Sequence, residues 1–257
     1  MMAEIQISEK MSSVNDFLVR GFRGPAACIS SYGENIIVEV PRKAIDEVVS
    51  LLKEGFRDVA DIRKAYPMID CLHDFILVKP LVSEAPVEMS EGLCLASPEK
   101  RLVDIASDKE YSFLTDAEVQ VEYQKAFESY DISLPKILRY ASRKGEREQV
   151  QRRIDALDRS RLLVIDKIRS VLRSSPVTEA WVFGSFSRME EKPESDIDLL
   201  FKYDKSLKFS LLDHIGLKQA LELSVGREID LVADGTLLPF ALDSVGRDKY
   251  KIYERKV

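Results

Sequence analysis

The residues most suited to chemistry lie between Phe183 and Leu200, where Gly184-Ser185 stands ten residues ahead of Asp196-Ile197-Asp198. A glycine lets backbone approach a ligand without a side chain in the way, and the unpaired N–H groups that open a short helix, with the Ser185 hydroxyl, suit phosphate oxygens. Two aspartates one residue apart on a strand point to the same side, so Asp196 and Asp198 can share divalent cations while Ile197 and Leu199 enter a core. Mg²⁺ suits such hard oxygen ligands, and a pair of ions about 4 Å apart stabilises both the attacking and the leaving oxygen of an in-line displacement. A third acid, Asp230, sits between apolar neighbours in Glu228-Ile229-Asp230-Leu231-Val232. It is expected on an adjacent strand, as a further metal ligand and as the group that orients or deprotonates an attacking hydroxyl. Glu228 shares its face and is the rival.

These residues need a strand, a turn, a short helix and a second strand in that order. Ala180-Trp181-Val182-Phe183 has the composition of a buried strand, with Trp181 read as packing, and Pro193-Glu194-Ser195 reads as the turn before the aspartates. Arg188, one turn into the loop helix, is a candidate phosphate contact.

Together the elements resemble the DNA polymerase beta-like nucleotidyltransferase superfamily, and above all its minimal nucleotidyltransferases, whose pattern is Gly-Ser, ten residues, Asp-x-Asp. The resemblance covers about Leu157 to Lys256. It implies a mixed sheet flanked by helices and transfer of a nucleoside monophosphate from an NTP to a hydroxyl of a protein, an RNA or a small molecule. The implied site is catalytic Asp196, Asp198 and Asp230, also the metal ligands, with Gly184, Ser185 and Arg188 binding nucleotide. Where that family usually carries glycine after the arginine, this chain has Met189.

The 257 residues exceed one such domain, so a separate α+β domain is expected over 1–145, a charged helical linker over 146–156 and the transferase over 157–257. In the first part, Ala26–Ser30 and Asn35–Val40 around a turn at residues 31–34 form a hairpin. Arg42–Phe56 has a helical rhythm, and Phe75–Val82 is a strand that Pro80 bends or places at an edge. Ser97-Pro98 starts a helix, and two more follow over Thr115–Tyr130 and Leu134–Arg143. Residues 20–145, through Val78-Lys79-Pro80-Leu81-Val82-Ser83, Ser97-Pro98-Glu99-Lys100-Arg101-Leu102-Val103-Asp104-Ile105 and Lys136-Ile137-Leu138-Arg139-Tyr140-Ala141, resemble the effector region of AbiEi-type antitoxins. That resemblance implies toxin–antitoxin or phage-defence biology; DNA binding is not implied, because too few residues precede the region for a winged helix.

With 38 basic and 44 acidic residues the net charge is −6, so the chain as a whole does not attract nucleic acid. Lys136 to Arg161 departs from this, with nine basic residues against four acidic ones, and reads either as a solvated helical segment or as a grip for an RNA acceptor. Three scattered cysteines and the absence of a membrane-length apolar run or an export signal point to the cytoplasm. Cys71 and His73 lack a second ligand pair and read as core residues. Neither histidine follows an Arg with four to six residues between them, the mark of a HEPN ribonuclease, so a toxin partner is expected as a separate chain. The rival to catalysis is a nucleotide-binding antitoxin that neutralises its partner by contact.

Overall fold

The computed structural model describes residues 9–32, 35–65, 75–192, 195–237 and 245–255. The chain divides into two compact units, one of Ile5–Tyr123 with Ile132–Ala156, the other of Gln124–Asp131 with Leu157–Val257.

The first unit is built on a six-stranded sheet. Its elements are α1 (Glu9–Gly21), β1 (Cys28–Tyr32), β2 (Asn35–Val40), α2 (Ile45–Gly55), β3 (Val59–Asp61), α3 (Ile62–Ala65), β4 (Ile76–Pro80), β5 (Val87–Ser90), β6 (Leu93–Ala96) and α4 (Pro98–Ser107). There follow α5 (Asp116–Ser129), which the division crosses, then α6 (Leu134–Lys144) and α7 (Arg147–Asp155). Strand order is β3-β4-β2-β1-β6-β5, with β1 and β2 antiparallel as the hairpin reading requires. The edge position expected from Pro80 is not found, because β4 runs between β3 and β2 and the proline closes it. A proline at a strand's last residue removes no interior ladder bond. Gly33 and Glu34 of the hairpin turn, together with Cys71, His73, Pro193 and Lys256, lie outside the described residues.

Ser97 caps α4, accepting from the Lys100 N–H at 3.4 Å, with Pro98 in the first turn. This helix carries a buried ionic cluster. The Lys100 ammonium, 0% exposed, reaches Glu39 at 2.6 Å and Asp104 at 2.5 Å. Lys79 bridges Asp108 at 2.6 Å and Glu110, and Lys144 bridges Asp104 at 2.8 Å and Asp108. Lys79 also lies 3.7 Å from Glu39, so each cation holds at least two carboxylates, which offsets the cost of taking charge out of water.

The second unit has a four-stranded sheet of order β10-β7-β8-β9. It comprises α8 (Arg159–Arg173), β7 (Val177–Phe183), α9 (Gly184–Ser187), β8 (Ile197–Tyr203), α10 (Leu211–Val225), β9 (Ile229–Ala233) and β10 (Tyr250–Glu254). Strand β8 is antiparallel to β7 and parallel to β9, and β10 is antiparallel to β7, so the sheet is mixed. Alternation along the strands sorts its two faces. Val182, Ile197, Leu199, Ile229 and Leu231 pack with Ile165, Ile168 and Leu172 of α8 and with Leu217 and Leu221 of α10. The intervening residues Trp181, Leu200 and Val232 cluster on the opposite face with Val245.

Candidate active site

Odd and even positions decide where the acids go. Ile197, Leu199, Ile229 and Leu231 belong to the helix-covered core, so Asp198 and Asp230 project from the other face. The two are direct partners in the parallel β8–β9 register, and on its other side Asp198 pairs with Phe183, the last residue of β7. Asp196 immediately precedes β8 rather than lying inside it. Its position is secured by Arg227, whose Nε and Nη2 donate to the Ser195 carbonyl at 3.1 and 2.5 Å. Ser195 N–H donates to the Lys192 carbonyl at 2.9 Å. Glu228 is exposed and lies before β9, where its carbonyl accepts from Ile197 N–H at 3.0 Å.

The glycine of the turn has a second reason to be a glycine. Gly184 has φ +65°, and a Cβ there would stand 2.1 Å from Asp198 Oδ2. The space a side chain would need is occupied by the carboxylate. Ser185 is half-buried at the start of the one-turn α9, and the Ser187 hydroxyl donates to the Gly184 carbonyl at 2.8 Å. Arg188 pairs with Glu190 at 2.8 Å and Asp248 at 2.6 Å. Met189 has φ +60°, so the backbone adopts the left-handed conformation without a glycine.

Electrostatics mark Asp198 as the centre of the group. Its carboxyl is pushed up to about 6, first by desolvation and then by the negative charges of Asp196 and Asp230, against an opposing pull from Arg188. Among the described residues no set of three or more His, Cys, Asp or Glu side chains is close enough to hold a metal ion as it stands. The donor chemistry nonetheless fits one. Hard carboxylate oxygens share an under-compensated negative field, and Asp196 and Asp230 are exposed, with room to turn.

Residues absent from the sequence reading of the site also support the turn. Arg161, 7% exposed, donates to the Phe186 carbonyl at 3.0 Å and pairs with Glu128 at 2.9 Å. It had been counted only as one cation of the basic stretch. Its signal was positional, since Arg161, Ile165, Ile168 and Leu172 are the buried stripe of α8 and a charge on that stripe needs a partner. Other cations of the stretch are also engaged: Arg143 pairs with Glu84, and Arg153 with Asp116.

A mixed sheet with helices on one face and Asp198 and Asp230 on the other, with Asp196 just ahead of β8 and a Gly-Ser turn beside them, defines the class as nucleotidyltransferase, whose substrate is a nucleoside triphosphate. The chain belongs to the nucleotidyltransferase domain family through residues 165–256 and to a family of unknown function, DUF6577, through residues 30–159. MJ0435 of Methanocaldococcus jannaschii, provisionally named a protein adenylyltransferase, is 37% identical over 79 residues, 31% of this chain and 83% of that protein. The protein adenylyltransferase MntA of Thermococcus cleftensis is 34% identical over 84 residues, 30% of this chain and 83% of that one. A solved toxin–antitoxin complex with AMP-PNP is 21% identical, matched over 36% of this chain and 74% of that one, with a TM-score of 0.32. Among the described residues no helix is long and apolar enough to cross a membrane.

Proposed function

We propose that this nucleotidyltransferase moves AMP from ATP to a hydroxyl of a partner protein, within a toxin–antitoxin pair. The acceptor class is supported by the adenylyltransferase relatives, each matched over 83% of its length. The toxin–antitoxin setting is supported by the resemblance of the second half to minimal nucleotidyltransferases; the first half matches a family of unknown function and adds nothing to it. The observation that carries the chemistry is Asp198, in register with Asp230, pressed against Gly184, its carboxyl pushed up to about 6 first by burial and then by the charges of Asp196 and Asp230.

In this reading the α9 N–H groups and the Ser185 hydroxyl hold phosphate oxygens. Arg188 joins them by leaving Glu190 and Asp248. Asp196, Asp198 and Asp230 would hold Mg²⁺, which supplies charge neutralisation of the phosphates when bound. Asp230 orients the acceptor hydroxyl and takes its proton. The hydroxyl oxygen bonds to the α-phosphorus, the bond to the β-phosphate oxygen breaks, and pyrophosphate leaves.

The test is incubation of the full chain with each α-labelled NTP and Mg²⁺ in host lysate. Label from ATP should appear on a protein band and vanish with Asp198→Asn. Label on RNA would replace the acceptor, and tight nucleotide binding without pyrophosphate release would favour neutralisation by contact.

A further inference from the structure

Beneath the Gly184–Ser187 helix lies a buried cation with many partners. The guanidinium carbon of Arg161 stands 3.8 Å from the centroid of the Phe186 ring, which is 0% exposed. Its Nη2 donates to the Phe186 carbonyl at 3.0 Å, and Nη1 pairs with Glu191. One side chain thus holds the turn on both sides of Ser187–Glu190. That interval contains Met189 at φ +60°, a conformation that persists only where surroundings enforce it.

The same guanidinium is fixed by Glu128, through Nε at 2.9 Å and Nη2 at 3.1 Å, and by the Tyr250 hydroxyl at 3.2 Å. Tyr250 also donates to Glu128. The Glu128 carbonyl accepts from Arg169 of α8 at 2.7 Å, and Gln124 donates to the Glu128 carboxylate at 2.7 Å and to the Asp158 carbonyl at 3.2 Å. Gln124–Asp131, although it precedes Leu157 by more than twenty positions, is therefore part of the second unit.

We propose that Arg161 is a positioning residue for the nucleotide-binding turn and that Glu128 is the counter-ion that keeps it buried there. The proposal rests on the nucleotidyltransferase reading of the Gly184 turn. Because Gly184 touches Asp198, displacement of the turn would move the phosphate-facing N–H groups and disturb the carboxylate centre together. Lysine does not replace this function, since a single ammonium lacks the planar fork that reaches Phe186, Glu128 and Glu191 at once.

Two full-chain variants test it: Arg161→Lys, and Arg161→Met combined with Glu128→Gln, which removes both buried charges and so preserves the fold. Hydrogen exchange of residues 184–191 is read beside that of Leu211–Val225, with KM and kcat for pyrophosphate release. Expected are faster exchange in 184–191 alone and a rise in nucleotide KM of about tenfold, larger than the fall in kcat. Unchanged protection of 184–191, or equal loosening of Leu211–Val225, overturns the proposal. If the wild-type chain neither binds nor turns over nucleotide, the functional reading fails, and the exchange result still decides whether Arg161 holds the turn.

Discussion

Gly184 shows how one residue type can satisfy two demands. The sequence argument assigned its missing side chain to a ligand's approach, whereas in the fold that space is taken by Asp198. Gly184→Ala should therefore cost more than the roughly 1–2 kcal/mol of a left-handed residue, by adding a clash with the carboxylate, and should abolish nucleotide transfer; urea unfolding and pyrophosphate release check both. Met189→Gly should act in the opposite direction, raising stability by about 1 kcal/mol in the same unfolding assay. Asp198 yields a pH prediction. Its carboxyl titrates near 3.8 when unfolded and about 6 when folded, so between those values the folded state binds more protons and stability falls as pH rises. Asp198→Asn removes that penalty, so its stability advantage should be greatest above pH 6 and fade towards pH 4, as read from urea midpoints across that range.

At the scale of elements, α4 and α8 place charge on buried faces in different ways. The capped start of α4 was legible from Ser97-Pro98, but the burial of Lys100 was not, because its partner Glu39 lies 61 residues away on β2. Lys100→Met should destabilise by about 3–5 kcal/mol, the usual effect of leaving buried carboxylates unpaired, and denaturant unfolding reads it. In α8 the capping aspartate, Asp158, accepts from Ser160 N–H at 2.9 Å. What no local pattern reveals is that Arg161, one turn later, finds its acid on a separate helix.

For the whole chain, the boundary between units is not a single cut. A fragment from Asp155 to Val257 contains Asp196, Asp198 and Asp230, and on sequence grounds would be expected to retain nucleotide binding. It omits Gln124 and Glu128, which hold Asp158, Arg161 and Arg169. The fragment should melt below the corresponding transition of the full chain and bind nucleotide more weakly, as calorimetry and titration with ATP would measure. Wild-type affinity in the fragment would show that Glu128 is dispensable to the turn.

The sequence by itself determined the order of elements around the site and the side of the sheet on which Asp198 and Asp230 lie. Strand alternation and the Gly-Ser to Asp-x-Asp spacing are local, and each is readable within a few residues. It also separated a transferase half from a preceding α+β half. Only the tertiary structure decided that Asp198 rather than a ligand occupies the space beside Gly184, that Asp230 and not Glu228 stands opposite Asp198, and that β4 is internal. The charge partners Glu128–Arg161 and Glu39–Lys100 were likewise beyond sequence reading. Such pairings join residues distant in the chain, and the low-dielectric interior that makes them necessary exists only once the core has closed.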